Sequence, residues 1–244
     1  MQQIYKTQFA VDQVHVDRFG RLRPSMMLRF AQEVAGDHSA ALSMSYEELA
    51  ARGLFWAVVR TRLQVSRTPM LGQTLALETW PMPTTRTAFP RSVVAYDQEG
   101  REAFRAVSLW VLMDLEQRTM VLPSKTDIVV DGLLRGGELA LPRAVAPHAL
   151  DREDRRRVCF TDLDRNGHMN NARYLDWIDD LLPSAFHRDA SLHDMTLSYI
   201  NEALEGQTLA VGYGFEGEAL HVDIHRPEDG HRIFAAQLHY GMIK

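Results

Sequence analysis

Gly72-Gln73-Thr74-Leu75-Ala76 returns as Gly206-Gln207-Thr208-Leu209-Ala210, 134 residues further on, and upstream Leu63-x-Val65 stands where Leu197-x-Tyr199 stands. A second match lies nearer the start of each half. Asp17-x-x-Gly20-x-Leu22 corresponds to Asp164-x-x-Gly167-x-Met169 at an offset of 147, each followed by a helix-like stretch with Leu28 opposite Leu175 and Phe30 opposite Trp177. The pieces come in the same order, so the chain reads as a duplication. The smaller second offset means that loops are shorter in the second copy.

Each copy reads as a short strand, a turn, one amphipathic helix and several strands. In the first, Pro24 suits a helix N1 position, and Met27, Leu28, Ala31, Val34, Ala35 and Leu42 recur on one face, with Arg29, Glu33 and Asp37 opposite. In the second, Tyr174, Leu175, Ile178, Leu181, Leu182 and Ala185 form the stripe, with Asp176, Asp179 and Asp180 opposite and Pro183 at a fraying end. Residues 92–96 and 104–113 are rich in β-branched and aromatic side chains, and Glu99-Gly100-Arg101 and Asp229-Gly230-His231 read as hairpin turns. One helix and an antiparallel sheet, present twice, is an α+β plan. Gly132, Gly136, Gly137, Pro142 and Pro147 mark a linker crossing the surface. The expected division is therefore 1–125, a linker over 126–150, and 151–244.

Composition narrows the function. With 244 residues, 45% hydrophobic and 24% charged, the chain can bury an ordinary core. Its net charge of −5 gives no overall positive field to hold nucleic acid. The longest unbroken apolar stretch, residues 54–59, falls short of the ~18 that a membrane-spanning helix needs, so no membrane insertion is expected. Cys159 is the single cysteine, and the start of the chain lacks the basic-then-apolar layout of a secretion signal. A cytoplasmic protein is expected. With one thiol and no paired Cys/His spacing, neither a metal nor another cofactor is expected.

The densest polar cluster is residues 161–177, Thr-Asp-Leu-Asp-Arg-Asn-Gly-His-Met-Asn-Asn-Ala-Arg-Tyr-Leu-Asp-Trp. At offset 147, Asn166 and His168 face Phe19 and Arg21, so the second copy alone alternates a carboxylate, an amide and an imidazole at Asp164, Asn166 and His168. If extended, these three side chains project to one side, where they could converge on one substrate atom.

This stretch resembles the acyl-ACP thioesterases, which release fatty acids from acyl carrier protein, and the resemblance runs over essentially the whole chain. The family pattern Asp-x-Asn-x-His-x-Asn-Asn-x-x-Tyr-x-x-Trp is met by Asp164, Asn166, His168, Asn170, Asn171, Tyr174 and Trp177. Its Leu-x-Tyr-x-x-Glu pattern is met by Leu197, Tyr199 and Glu202. The resemblance implies a tandem double hotdog, each half a central helix wrapped by an antiparallel sheet, with the acyl chain in the first half and catalysis in the second. It also implies a carrier-protein partner. Plant members have a Cys directly after the Glu; here Ala203 stands there, which excludes a thiol nucleophile at that point. No Gly-x-Ser-x-Gly elbow is present either. What remains is water activated by a general base, Glu202 or His168, with Asn166 orienting the water or the imidazole and Asp164 fixing the loop or the His tautomer. The amide N–H groups near Asn170 to Ala172 are candidates to receive the oxyanion. A thioester suits this equipment because its thiol departs with little protonation.

Each reading has a plainer rival. Asp164, Asn166 and Asn170 are also the residue types of turns and helix caps, and Asn170 fits a cap better than a catalyst. Asn171 and Tyr174 are candidate substrate contacts, Tyr174 and Trp177 equally core and tunnel wall. Met26, Met27, Phe30 and Trp56 are candidates for holding the acyl chain, although methionine's adaptability leaves its length open. Arg152, Arg155, Arg156 and Arg157, the one dense basic run, read either as a solvated linker edge or as the dock for an acidic carrier protein. His38 reads as a satisfied core histidine. His221-x-Asp223-x-His225 reads as solvent-side alternation on a strand rather than a metal site, and Cys159 as a packed or surface thiol on a strand.

Two other functions remain open: acyl-CoA hydrolysis by the same fold, and a non-enzymatic sensor of acyl thioesters, which would need no base. A dehydratase of related fold fits the Asn-x-His-x-Asn-Asn string poorly. Two hotdogs in one chain allow a monomer, while exposed sheet edges leave a homodimer possible.

Overall fold

In the computed structural model, which describes residues 3–243, both copies of the repeat build the same arrangement. The first contains β1 (Tyr5–Ala10), α1 (Pro24–Ala41), α2 (Tyr46–Ala50), β2 (Leu54–Val65), β3 (Thr74–Pro81), β4 (Phe89–Tyr96), β5 (Glu102–Asp114) and β6 (Met120–Val121). Its antiparallel sheet runs β1-β3-β4-β5-β2, with β6 paired to β5. The second contains β7 (Arg152–Arg157), α3 (Arg173–Asp179), α4 (Ser184–Asp189), β8 (Ala190–Tyr199), β9 (Thr208–Glu216), β10 (Ala219–His225) and β11 (Arg232–Met242). Its order, β7-β9-β10-β11-β8, repeats the first strand for strand. The chain divides into two compact units at Pro142/Arg143, the second also taking in Pro24–Met26.

Pro24 opens α1, where a missing N–H costs nothing. The face carrying Met27, Leu28, Ala31, Val34 and Ala35 is buried, and Phe30 stacks on Phe9 of β1 at 4.7 Å. Each large side chain so buried contributes about 1.5–3 kcal/mol. In the second unit Tyr174 stacks on Phe234 of β11 at 4.4 Å and meets Tyr199 of β8 edge-on.

The second helix departs from expectation. The apolar stripe predicts one helix from Tyr174 to Ala185, but α3 ends at Asp179 and α4 begins at Ser184, leaving Ala185 exposed. Asp179 and Asp180 place negative charge at the negative end of the dipole, and Pro183 cannot continue a helical ladder.

The glycine- and proline-rich segment is also not a linker lying free on the surface. Ile128 packs with Leu49, Phe89 and Leu112, while Leu133 and Leu139 pack on Trp80, Met82, Val94 and Val107. Gly132 comes so close to the Pro83 backbone that a Cβ would lie 2.4 Å from its nitrogen. On the second unit, the Val145 N–H donates to Ser198 Oγ at 3.0 Å, and Arg232 Nη1 donates to the Val145 carbonyl at 3.0 Å. The segment is a strap over the sheets' outer faces, and β4 and β10 are in consequence buried on both sides. His221 and Asp223, expected to face solvent, are each 5% exposed beneath it.

Candidate active site

The duplicated Asp-x-x-Gly motif makes one loop twice. Asp164 Oδ1 accepts from the N–H groups of Asn166 at 2.8 Å and His168 at 3.3 Å; Asp17 Oδ1 accepts from Phe19 at 2.8 Å and Arg21 at 3.0 Å. Gly167 and Gly20 both sit at φ +77°, a conformation that favours glycine. The loop is then tied to the turn before the next strand: the Met169 N–H donates to the Ala203 carbonyl at 2.9 Å, as Leu22 does to Pro69 at 2.8 Å. Isolated bridges pair His168 with Leu204 and Arg21 with Met70, and Gln207 and Gln73 brace the two turns identically.

This shared scaffold separates frame from chemistry. Asp164 has a counterpart in Asp17 doing the same backbone work, so its carboxylate fixes the loop. His168 and Glu202 have Arg21 and Thr68 at the equivalent places. The two turns bring His168 Nε2 to 3.1 Å from Glu202 Oε2, the His168 side chain 13% exposed and the Glu202 side chain 43%. A half-open carboxylate held by an enclosed imidazole can accept a proton from water. In the first unit Arg21 instead lies over the Phe19 ring, 4.7 Å away, and 3.4 Å from Asp17.

Around this pair, Asn166 is half-buried on the same loop. Asn170 behaves as a cap: its Oδ1 accepts from the Ala172 N–H at 3.0 Å and its carbonyl from Arg173 at 2.9 Å. The Asn170 N–H is itself bonded to the Asp162 carbonyl at 2.8 Å. The Asn170 and Ala172 amides, expected to meet an oxyanion, are therefore already engaged. The Asn171 carbonyl accepts from the Tyr199 hydroxyl at 3.1 Å. Burial holds the phenols of Tyr174 and Tyr199 above their ordinary pKa, the nearby Asp164 charge adding to the effect on Tyr174.

In the first unit a cavity of about 210 Å³ opens beside α1, lined by Ala35, Ser39, Trp56, Phe89, Arg91 and Trp110 among others. Of the side chains expected to hold an acyl chain, Trp56 lines it. Met26, Met27 and Phe30 do not: Met26 lies in the first turn of α1, and Met27 and Phe30 point into the core. The sequence reading missed Arg91, whose signal was a charge inside the apolar run of β4. It is 8% exposed, and its Nη1 donates to His38 Nδ1 at 3.0 Å and to Thr79 Oγ1 at 3.3 Å. Burial pulls its pKa down to about 10. His38 is thus a core histidine satisfied by an arginine, and it also stacks on Tyr5.

The arginine run is not a linker edge but the edge strand β7. Arg152, Arg155 and Arg157 are exposed, whereas Arg156 is tied to Asp154 at 3.0 Å and Asp180 at 2.9 Å. Cys159 lies past the end of β7, exposed, before the 3-10 turn Phe160–Asp162. No helix among the described residues is long and apolar enough to cross a membrane.

Comparison with known proteins adds to this geometry. Residues 2–129 match the acyl-ACP thioesterase N-terminal domain, and residues 146–237 match the C-terminal domain. The chain belongs to the acyl-ACP thioesterase family. Among plant relatives, the chloroplastic acyl-[acyl-carrier-protein] hydrolase FATB2 of Cuphea viscosissima is 26% identical over 254 residues, covering 94% of this chain and 61% of that protein. The palmitoyl-acyl carrier protein thioesterase of Gossypium hirsutum is 26% identical over 191 residues, 72% of this chain and 46% of that one. The chain thus spans roughly half to three fifths of the length of such curated relatives. Among solved structures, the 12:0-ACP thioesterase of Umbellularia californica superposes with a TM-score of 0.84 at 20% identity, over 100% of this chain and 99% of that one. An acyl-ACP thioesterase of Bacteroides thetaiotaomicron gives 0.83 at 20% identity, over 98% of each. The fold is the α+β double hotdog of this acyl-ACP thioesterase family.

Proposed function

We propose that the protein hydrolyses fatty acyl-ACP to free fatty acid and holo-ACP, in fatty acid biosynthesis, with the acyl chain in the first hotdog and the reaction in the second. The observation that carries this reading is the 3.1 Å pair of His168 Nε2 and Glu202 Oε2, built on a loop whose duplicate holds no such pair. Membership of the family and the relatives' names support the substrate. His168 donates its Nε2–H to Glu202 and holds that carboxylate in place, while the other carboxylate oxygen takes a proton from water. The water oxygen attacks the thioester carbonyl carbon. The oxyanion forms with the side-chain amide of Asn166 as donor and then collapses. The C–S bond breaks, the thiol leaves as thiolate, and it then takes up the proton that Glu202 drew from water, which returns Glu202 to its carboxylate form. No cofactor enters this sequence. Asn170, Asn171 and Tyr174 shape the wall at the start of α3, and the exposed arginines of β7 are the docking surface for acidic carrier protein. The exposed free thiol of Cys159 suits the reducing cytoplasm.

The test is thiol release from a panel of acyl-ACPs and the matching acyl-CoAs by wild type, Glu202→Gln and His168→Ala. Acyl-ACP should be preferred, and Glu202→Gln should lose about 10²–10⁴-fold in kcat while the fold is kept. A preference for acyl-CoA would move the role to CoA metabolism. No turnover of either would favour a binding protein, and near-wild-type rates in both variants would remove the pair from the mechanism.

A further inference from the structure

Outside the candidate active site, the strap and the second sheet bring together two imidazoles and a carboxylate. His148 lies on the strap, His221 on β10 and Glu216 at the end of β9. Glu216 Oε2 is 3.6 Å from His148 Nδ1 and 3.8 Å from His221 Nε2, and all three donor atoms lie within 4.8 Å of one another. The two imidazole rings stand 3.7 Å apart, tilted by 34°. We propose that His148, His221 and Glu216 form a binding site for a divalent transition metal ion of the zinc type, which fastens the strap to the outer face of the second sheet.

The spacing fits such an ion. A point equidistant from three atoms so placed lies within about 2.4 Å of each, against the roughly 2.0–2.2 Å that zinc takes from imidazole nitrogen and carboxylate oxygen. Glu216 has an exposed, long side chain and can close the remaining few tenths of an ångström by rotation. Two His and one Glu is a zinc donor set that leaves a fourth position for water. His221 contributes the rigid part of the site. It is 5% exposed, and its Nδ1 has no hydrogen-bond partner among the described residues, so its polar capacity rests on the Nε2 that faces Glu216. Asp223, two residues along the same face, is not available: Arg232 Nε donates to both its oxygens at 2.8 Å. The site is completed instead by Glu216, five residues before His221 at the end of β9, and by His148 from the strap.

The test uses tag-free, chelator-treated full-length protein. Titration with Co²⁺ should give the visible absorption of a low-symmetry four-coordinate ion at one equivalent per chain, and Zn²⁺ should displace it. His148→Ala and Glu216→Gln, both at accessible positions, should each weaken Zn²⁺ binding at least tenfold, measured by competition with a chromogenic chelator. Zn²⁺ should raise the Tm of wild type and not that of His148→Ala. Unchanged affinity in His148→Ala, or no saturable Co²⁺ spectrum in wild type, would overturn the proposal. His221→Asn, whose burial risks misfolding, is not needed for either outcome.

Discussion

Asp164 is the residue on which frame and chemistry can be told apart by measurement. Its Oδ1 holds the N–H of Asn166 at 2.8 Å and that of His168 at 3.3 Å, and Asp17 repeats both bonds in the first unit. A hydrogen bond to a charged acceptor is worth about 1.5–3 kcal/mol, and one to a neutral acceptor about 0.5–1.5. Asparagine keeps the acceptor oxygen and drops the charge, so Asp164→Asn should cost about 1 kcal/mol on the short bond and less on the long one. Alanine removes both bonds and leaves two loop amides to find water, for about 2–4 kcal/mol. Urea unfolding of Asp164→Asn and Asp17→Asn should give matching losses, within about 0.5 kcal/mol, because the two loops share one geometry. The kcat of Asp164→Asn for acyl-ACP should stay within about tenfold of wild type, since the loop still presents His168 to Glu202, while Asp164→Ala should lose both stability and turnover. A thousandfold fall in kcat for an Asp164→Asn protein that unfolds like wild type would refute this reasoning, because the charge itself would then act on the reaction.

Three more expectations follow from other parts of the molecule. Ala35→Leu puts three more carbons into the 210 Å³ cavity; at about 0.8 kcal/mol per methylene displaced, kcat/KM for the longest good substrate should fall roughly 60-fold while chains about three carbons shorter are spared, and a uniform loss at every length would place the acyl chain elsewhere. Reversing charge at two of the three exposed positions, Arg155→Glu with Arg157→Glu, should raise KM for acyl-ACP and leave a short soluble thioester unaffected; equal effects on both substrates would argue against docking. Arg91 has its pKa lowered to about 10 by burial, so the folded state disfavours its charge at neutral pH, and the penalty is relieved as pH rises above about 10. Arg91→Met removes a penalty of about 3 kcal/mol against hydrogen bonds to His38 and Thr79 of similar total worth, so the urea midpoint at pH 7 should stay level or rise; a clear fall would show that the bonds outweigh the burial.

What the sequence shows and what it hides follow from the range of the forces involved. The repeat was legible because Asp17 and Asp164, Gly20 and Gly167, and Gln73 and Gln207 meet local backbone demands, bonding within a few residues of themselves. Helix α1 was legible because an apolar stripe agrees with a good N-terminus at Pro24. The second helix ends sooner than its stripe implies because Asp179 and Asp180, which read as a polar face, put negative charge at the helix's negative end, and Pro183, which read as a fraying end, comes after the last turn. The strap could not be seen at all. Its contacts join Val145 to Ser198 and Leu133 to Pro81, across tens of residues, and glycine and proline are as common in a strap as in a loose linker. The same long range hid Arg91 as the partner of His38, 53 residues away.

On the proposed function, the duplication lets one chain separate binding from reaction. Both loops use an acceptor oxygen at Asp17 or Asp164, the left-handed glycine and the tie to the following turn, so neither copy can lose that acceptor without weakening its loop. Those bonds also present positions 19, 21 and 68 in the first copy and 166, 168 and 202 in the second, whose side chains differ in chemical type between the copies. The first copy has filled them with Phe19, Arg21 and Thr68, which close the loop by a cation–π contact and offer no base. That half has an uninterrupted eighteen-residue α1 with a cavity along it, whereas in the half that carries His168 and Glu202 the corresponding helix stops after seven residues. A reacting group needs a short, tightly braced loop, and an acyl chain needs a long apolar wall; two copies of one fold let each half meet one of these demands.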